Sequence, residues 1–225
     1  MLKIRCSSIG KIMTNSRSKT ETLSKTTKTY LQELAVEEMY GKRKEFSSKY
    51  TDKGNQVEDD GIKLCESVLD LGFMYKNEEH FTNDFLTGTP DVNTDIILDV
   101  KSSWDATTFP FFAEDIPNKD YFYQLQGYMA LTGKRKSYLC YCLINTPELM
   151  VEDEVRRAHW KENLIDESDE LRNHVEAQHN FDNIPTERRI KTFEVRYDKD
   201  VVKAIYDRVK ECREYYNTLI DKEDE

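Results

Sequence analysis

Glycine and proline are scarce here, with 8 and 5 among 225 residues, and there is no internal repeat, low-complexity tract or clear linker. With 13 Tyr, 10 Phe and 2 Trp available for a core, that scarcity excludes a disordered chain. No apolar run approaches the roughly 20 residues a membrane span requires. The start, Met1-Leu2-Lys3-Ile4-Arg5, passes straight into polar sequence without a secretory apolar core. Cysteine is also sparse in the useful sense: positions 6, 65, 140, 142 and 212 contain no CxxC pair. They fit reduced thiols in a cytosol better than a disulfide frame or a zinc site. Cys140 and Cys142, two apart in an apolar run, read as small hydrophobes on one strand face.

Positive charge is short as well. The formal net charge is −10, which at first argues against nucleic acid, because passive DNA binders are usually basic. Its distribution alters that reading. Residues 1–53 hold 12 Lys and Arg against 6 Asp and Glu, a local +6 that leaves −16 for the remainder. A basic N-terminal third can meet phosphates while the acidic remainder faces solvent.

The length suits a single domain with a substantial core. Ser8 to about Met13 reads as a short helix, followed by a polar Ser/Thr/Lys loop through Lys28. Helical spacing then covers Tyr30–Tyr40, and a basic connector runs from Gly41 to Lys49. A further helix begins near Thr51 or Asp52, with an apolar stripe at Val57, Gly61, Leu64, Cys65 and Val68. Beyond Gly72, Phe73–Tyr75 and Glu79–Phe81 read as short strands, and Phe85–Val92 with Ile96–Lys101 as a hairpin. Tyr121–Thr132 is a helix ended by Gly133, and Ser137–Ile144 a buried strand. Glu148–Phe181 is a charged block of one or two exposed helices; strand Ile190–Arg196, helix Val201–Ile220 and an acidic tail follow. The expected fold is therefore α/β (α+β), a central mixed sheet flanked by helices.

The chemistry concentrates in Gly88-Thr89-Pro90-Asp91 and Asp99-Val100-Lys101. A strand alternates faces, so Asp99 and Lys101 point the same way, and the Asn93-Thr94-Asp95 turn folds Asp91 back toward them. Two neighbouring carboxylates repel and gain from a divalent cation, and oxygen donors suit Mg²⁺ or Mn²⁺. A lysine beside them can orient or help deprotonate a metal-activated water. Glu58 lies one residue off the apolar stripe, at the boundary of core and cleft, with Gly54 leaving open space above it. It offers a third carboxylate, with the Val100 carbonyl as a further ligand. Gln124 and Tyr128 share a helical face, where an amide can hold the attacking water and a phenol can contact a phosphate. Arg5, Ser7 and Ser8 precede a helix whose free amides favour an anion, although either serine can also be a plain N-cap. Ser102, next to Lys101, joins Arg5, Ser7, Ser8 and Tyr128 as a candidate phosphate contact.

In this order and spacing, the motifs resemble the PD-(D/E)xK nuclease superfamily, and within it the phage recombination exonucleases: lambda exonuclease, YqaJ-type viral recombinases and RecE-like enzymes. The likeness runs from Arg5-Cys6-Ser7-Ser8 through Gly54–Glu58 and the Asp91/Asp99/Lys101 core to Gln124–Tyr128. It departs at Asp99, where the family often has Glu, and in the long block 148–181. Iron–sulfur relatives sharing Q-x-x-x-Y need a C-terminal cysteine cluster, whereas only Cys212 stands near this end. The resemblance implies a single nuclease domain over 1–225: a basic helical part at 1–53, a catalytic core at about 54–147, the insertion at 148–181, and a closing strand and helix at 190–220. It further implies a two-metal Mg²⁺ enzyme, with Mn²⁺ substituting, that cuts linear double-stranded DNA 5′ to 3′ and leaves 3′ tails for a single-strand annealing protein. In that reading Asp91, Asp99, Val100 and Glu58 hold metal, while Lys101 and Gln124 manage the water. A trimeric or tetrameric ring in the cytoplasm of a bacterial host, encoded by phage or prophage, belongs to the same picture. The aromatic segment Trp104–Phe112 could serve as a subunit contact, cover the monomer's core, or wedge a DNA end. Two other readings stay open: an endonuclease of the same fold, and a non-catalytic DNA- or partner-binding module.

Overall fold

The computed structural model describes residues 1–42, 47–164, 166 and 168–221. Most of the basic connector, at 43–46, and the acidic tail, at 222–225, lie outside the described residues. The chain forms two mixed sheets flanked by helices. In the smaller sheet β3 (Leu86–Gly88) lies between β1 (Ile4–Arg5), which is parallel to it, and β2 (Phe81–Thr82), which is antiparallel. The larger sheet runs β4 (Val92–Asn93), β5 (Ile97–Ser102), β6 (Lys136–Cys142), β7 (Ile190–Arg196). Only β5 and β6 pair in parallel there, joined by a helical crossover.

Alternation along β5 assigns the two faces of the larger sheet. Ile97 and Leu139 join Phe193 and Val195 in a core that also takes Ile4, Ile9, Leu31, Leu125 and Ile205. These come from β1, α1 (Ile9–Ile12), α2 (Lys25–Tyr40), α5 (Lys119–Thr132) and α8 (Lys199–Ile220). On the reverse face Val92, Leu98, Val100, Cys140 and Cys142 pack against Ile62, Leu64 and Cys65 of α4 (Glu58–Val68). All five cysteines are free and buried, and Cys65 and Cys142 sulfurs lie 3.7 Å apart.

Several helix signals act as the sequence indicates. Gly133 takes the left-handed conformation (φ 74°) that ends α5. The polar loop stops earlier than expected, because the Ser24 hydroxyl caps α2 by accepting from the Thr27 amide. The helix expected through residues 51–68 is two helices, α3 (Lys49–Gln56) and α4, broken at Val57 (φ −107°, ψ 12°). That break makes Glu58, Asp59 and Asp60 the first turn of α4, where the helix dipole favours acids.

The strands expected at Phe73–Tyr75 and Glu79–Phe81 reduce to Phe81–Thr82, which pairs with β3 on the edge opposite β1 and leaves no edge of β3 for Phe73–Tyr75. The charged block forms α6 (Glu148–Lys161) and α7 (Asp169–His179), anchored through Phe181 to Phe109 and Leu143. Among the described residues no helix is long and apolar enough to cross a membrane.

Candidate active site

The β4–β5 hairpin assembles the core of the site. Val92 pairs with Leu98, so the next step outward sets Asp91 opposite Asp99. Asp91 Oδ2 accepts from the Val100 amide at 2.7 Å, which locks that carboxylate across the hairpin. Asp99 is fully buried, and its Oδ2 lies 2.5 Å from Lys101 Nζ. Apart from this ion pair, Asp99 Oδ2 has no hydrogen-bond partner. Gln124 on α5 donates from Nε2 to Asp99 Oδ1 (3.0 Å) and to the Tyr128 hydroxyl (3.0 Å). Its amide nitrogen is therefore committed to orienting Asp99. The Tyr121 ring lies 5.0 Å from the Lys101 ammonium and shields it.

The electrostatics follow from this crowding. Burial first, then the Asp99 charge, push the half-buried Asp91 carboxyl up to about 7. At Lys101 burial works to lower the pKa, but Asp99 and Asp91 outweigh it and hold the ammonium above its ordinary value. The rim thus carries more negative charge than its lysine balances. A buried carboxylate oxygen held only by the Lys101 ammonium, beside a second carboxylate that resists ionisation, fits a hard divalent cation.

Glu58 reaches the same rim from the reverse face, and its charge adds weakly to that at Asp91. Its carboxylate is paired with Lys76 at 3.2 Å, so it is not gathered with the aspartates. Among the described residues no three His, Cys, Asp or Glu side chains form a ready metal-holding group. Gly54 does face open space, as expected. A Cβ at Gly61 would meet Val100 Cγ1 at 2.7 Å; this close approach is what lets α4 lie against β5.

A separate cavity of about 370 Å³ holds Arg5, Ser7 and Tyr128 together. Ser8 stands at the N-cap position of α1 without a side-chain capping hydrogen bond and outside the cavity lining, and Ser102 Oγ is buried at the end of β5 without a hydrogen-bond partner. Arg5 also pairs with Glu37 of α2 at 3.1 Å. The basic N-terminal third is less available to phosphates than its composition implies. Lys53 is buried, and Lys28 and Lys49 pair with Glu21 and Glu154.

Sequence reasoning missed the connection between α4 and β2. Asn77 donates its amide to Asp91 O (2.8 Å) and its side-chain Nδ2 to Pro90 O (3.0 Å). Lys76 faces Glu58, and His80 faces the Arg5 cavity. The one available signal was composition: a Lys-Asn pair and a His in a segment without apolar periodicity. The aromatic segment divides, with Trp104 and Phe109 buried while Phe111 and Phe112 (91% exposed) project into solvent.

No protein-family model matches this chain, and no curated protein matches it by sequence. Among solved structures, a phage related exonuclease from Haemophilus somnus 129PT aligns at a TM-score of 0.78 and 33% identity, covering 98% of this chain and 96% of that one. An alkaline exonuclease from Laribacter hongkongensis aligns at a TM-score of 0.65 and 14% identity, covering 98% of this chain and 90% of that one. A complex of that enzyme with dAMP also aligns at 0.65, with 16% identity over the same shares. At such identity the Laribacter structures speak to the fold alone. The Haemophilus likeness spans nearly both whole chains, and the hairpin geometry agrees with it. This chain belongs to the phage-related exonucleases, in the phage recombination branch of the PD-(D/E)xK nucleases.

Proposed function

We propose that the protein is a Mg²⁺-dependent exonuclease that shortens one strand of linear double-stranded DNA from its 5′ end. The observation that carries this reading is the Asp91–Asp99–Lys101 rim, where a buried carboxylate oxygen is held only by the Lys101 ammonium. Asp91, Asp99 and the Val100 carbonyl would hold the metal, with Glu58 joining once released by Lys76 and Mn²⁺ able to substitute. When bound, a divalent pair at these oxygens supplies an activated water and offsets charge on the leaving oxygen. Gln124 fixes Asp99 from the side away from solvent. Lys101, held cationic, donates to the incoming water or to a phosphate oxygen; it is not the resting base. Arg5 and Ser7 take the terminal 5′-phosphate, with Tyr128 and Ser102 as neighbouring contacts.

End-binding separates this reading from an endonuclease of the same fold, because the Arg5 cavity suits a terminal group. The test is digestion of end-labelled linear duplex and of closed circular plasmid with Mg²⁺. Mononucleotide release from the 5′ end with intact circles is expected. Nicked circles would establish the endonuclease, and no metal-dependent loss of either DNA would leave a binding module.

In this reading the products are 3′ tails for an annealing protein, in a phage or prophage recombination pathway of a bacterial host. A trimeric or tetrameric ring would line a channel with the basic N-terminal part. With Trp104 and Phe109 inside, exposed Phe111 and Phe112 are what the aromatic segment can offer a neighbour. Light scattering at micromolar concentration tests the ring, and a mass near the monomer's 26.6 kDa would exclude it.

A further inference from the structure

His80 directly precedes β2, and the β2–β3 register sets it opposite Thr89. Its Nδ1 lies 2.9 Å from Thr89 Oγ1 and its Nε2 2.7 Å from Thr87 Oγ1. Both hydroxyls, like His80 itself, line the cavity that holds Arg5, Ser7 and Tyr128. The wall behind them is tight: a Cβ on Gly88 would meet Tyr128 Cε1 at 2.8 Å and Cys6 Sγ at 3.1 Å. The two threonines therefore point their hydroxyls along a fixed front, with the imidazole spanning them.

A neutral imidazole has one N–H and one lone pair. Held between two hydroxyls, it donates to one and accepts from the other. The first hydroxyl keeps its proton for the cavity, whereas the second spends its proton on the ring and offers the cavity only lone pairs. An anion accepts hydrogen bonds and cannot use those. A protonated ring donates to both oxygens and frees both hydroxyl protons.

We propose that His80 is a positioning residue that sets whether the cavity presents one or two threonine hydroxyl donors to a terminal phosphate. The inference rests on the reading of this cavity as the 5′-phosphate pocket. Phosphate binding then draws a proton onto His80, from solvent or from the phosphate monoanion, which is bound as the dianion. The groups facing the ring do not titrate in its place. Burial raises Cys6 and Tyr128, so both remain neutral. Lys3 faces away to Thr82, Glu79 precedes the ring in the chain, and Asp91 lies two residues beyond Thr89.

The test is the ratio of kcat/KM for duplexes with 5′-phosphate and 5′-hydroxyl ends, measured across pH 5.5–8.5 with Mg²⁺ for wild type, His80→Ala and His80→Gln. Wild type should prefer the phosphate, and the preference should fall as the imidazole loses its proton. Ionisation of the phosphate itself acts in the opposite direction, because the dianion binds better. His80→Ala leaves both threonine hydroxyls free of the ring, so its ratio should lose the fall that wild type shows as the imidazole gives up its proton. Glutamine can donate to one threonine and accept from the other, so His80→Gln should keep an intermediate, pH-flat ratio. A fall of the preference with rising pH that survives in His80→Ala would overturn the inference and leave the phosphate pocket standing. So would equal losses on both ends, which indicate a structural role. No preference in wild type would overturn pocket and inference together.

Discussion

Two lysines stand at the end of β5, Lys101 half-buried and Lys53 buried, and their environments push them in opposite directions. Lys101 meets Asp99 and the charge of Asp91, and is held above its ordinary pKa despite burial. Lys53, 1% exposed, donates to the carbonyls of Ser103 (2.8 Å) and Trp104 (2.9 Å). Its other neighbours are the rings of Trp104 (5.7 Å) and Phe181 (5.4 Å). Burial lowers it to about 8, against a weaker upward pull from Asp105. Carbonyl dipoles and ring faces do not repay the loss of water around an ammonium, whereas ionised carboxylates do. Lys101 therefore remains a cation available to chemistry. Lys53 is a brace that ties α3 to the backbone just beyond β5, with its ammonium near the rings of both Trp104 and Phe181.

The sharpest way to break the contrast is to remove what makes Lys101 different. Asp99→Asn keeps an acceptor for Gln124 but withdraws the charge facing Lys101. Activity on linear duplex should fall by about 10⁴-fold, and calorimetry should show weaker Mg²⁺ binding. Unchanged Mg²⁺ affinity would remove Asp99 from the metal site.

Lys53→Met should act on stability. Two buried carbonyls lose their donor, which costs about 1–3 kcal/mol each, partly offset by relief of a buried charge. A net loss of about 2 kcal/mol in urea unfolding is expected. The pH dependence distinguishes this brace from an ordinary lysine. Between pH about 8 and 10.5 the unfolded chain still binds the Lys53 proton and the native protein does not. Stability from this group therefore rises with pH across that window, by roughly 3 kcal/mol, and the rise should vanish in Lys53→Met. A rise that persists in the variant would mean another group titrates there.

The smallest effect concerns Lys76, a partly exposed third lysine whose carboxylate partner is Glu58 at 3.2 Å. Exposed pairs are worth about 0.2–1 kcal/mol, so Lys76→Met should tighten Mg²⁺ binding by only about two- to fivefold. Weaker binding would mean that Lys76 supports the site and does not compete for Glu58.

Legibility in the sequence follows the range of the interactions. The Asp91/Asp99/Lys101 rim could be read because hairpin pairing and strand alternation are local rules acting within eleven residues. Gln124 and Tyr128 followed from helical spacing, and their hydrogen bond is seen. The break at Val57 was hidden, because the apolar stripe begins only there, at the N-cap of α4, and leaves the end of α3 unmarked. Lys53 read as one more solvated charge in a basic segment, since the groups that bury it come from Trp104 and Phe181, far along the chain. The contacts of Lys76, Asn77 and His80 are likewise long-range and polar, and no periodicity announces them.

The central claim is that Lys101 serves the reaction while Lys53 serves the frame. Initial rates on 5′-phosphorylated linear duplex, at saturating Mg²⁺ and well below the melting temperature, compare wild type, Lys101→Met and Lys53→Met in one experiment. Lys101→Met should be slower by about 10²–10³-fold, with its unfolding midpoint little changed, whereas Lys53→Met should retain a rate within about tenfold of wild type. Lys101→Met degrading duplex as fast as wild type, or Lys53→Met losing as much activity as Lys101→Met, would contradict the account.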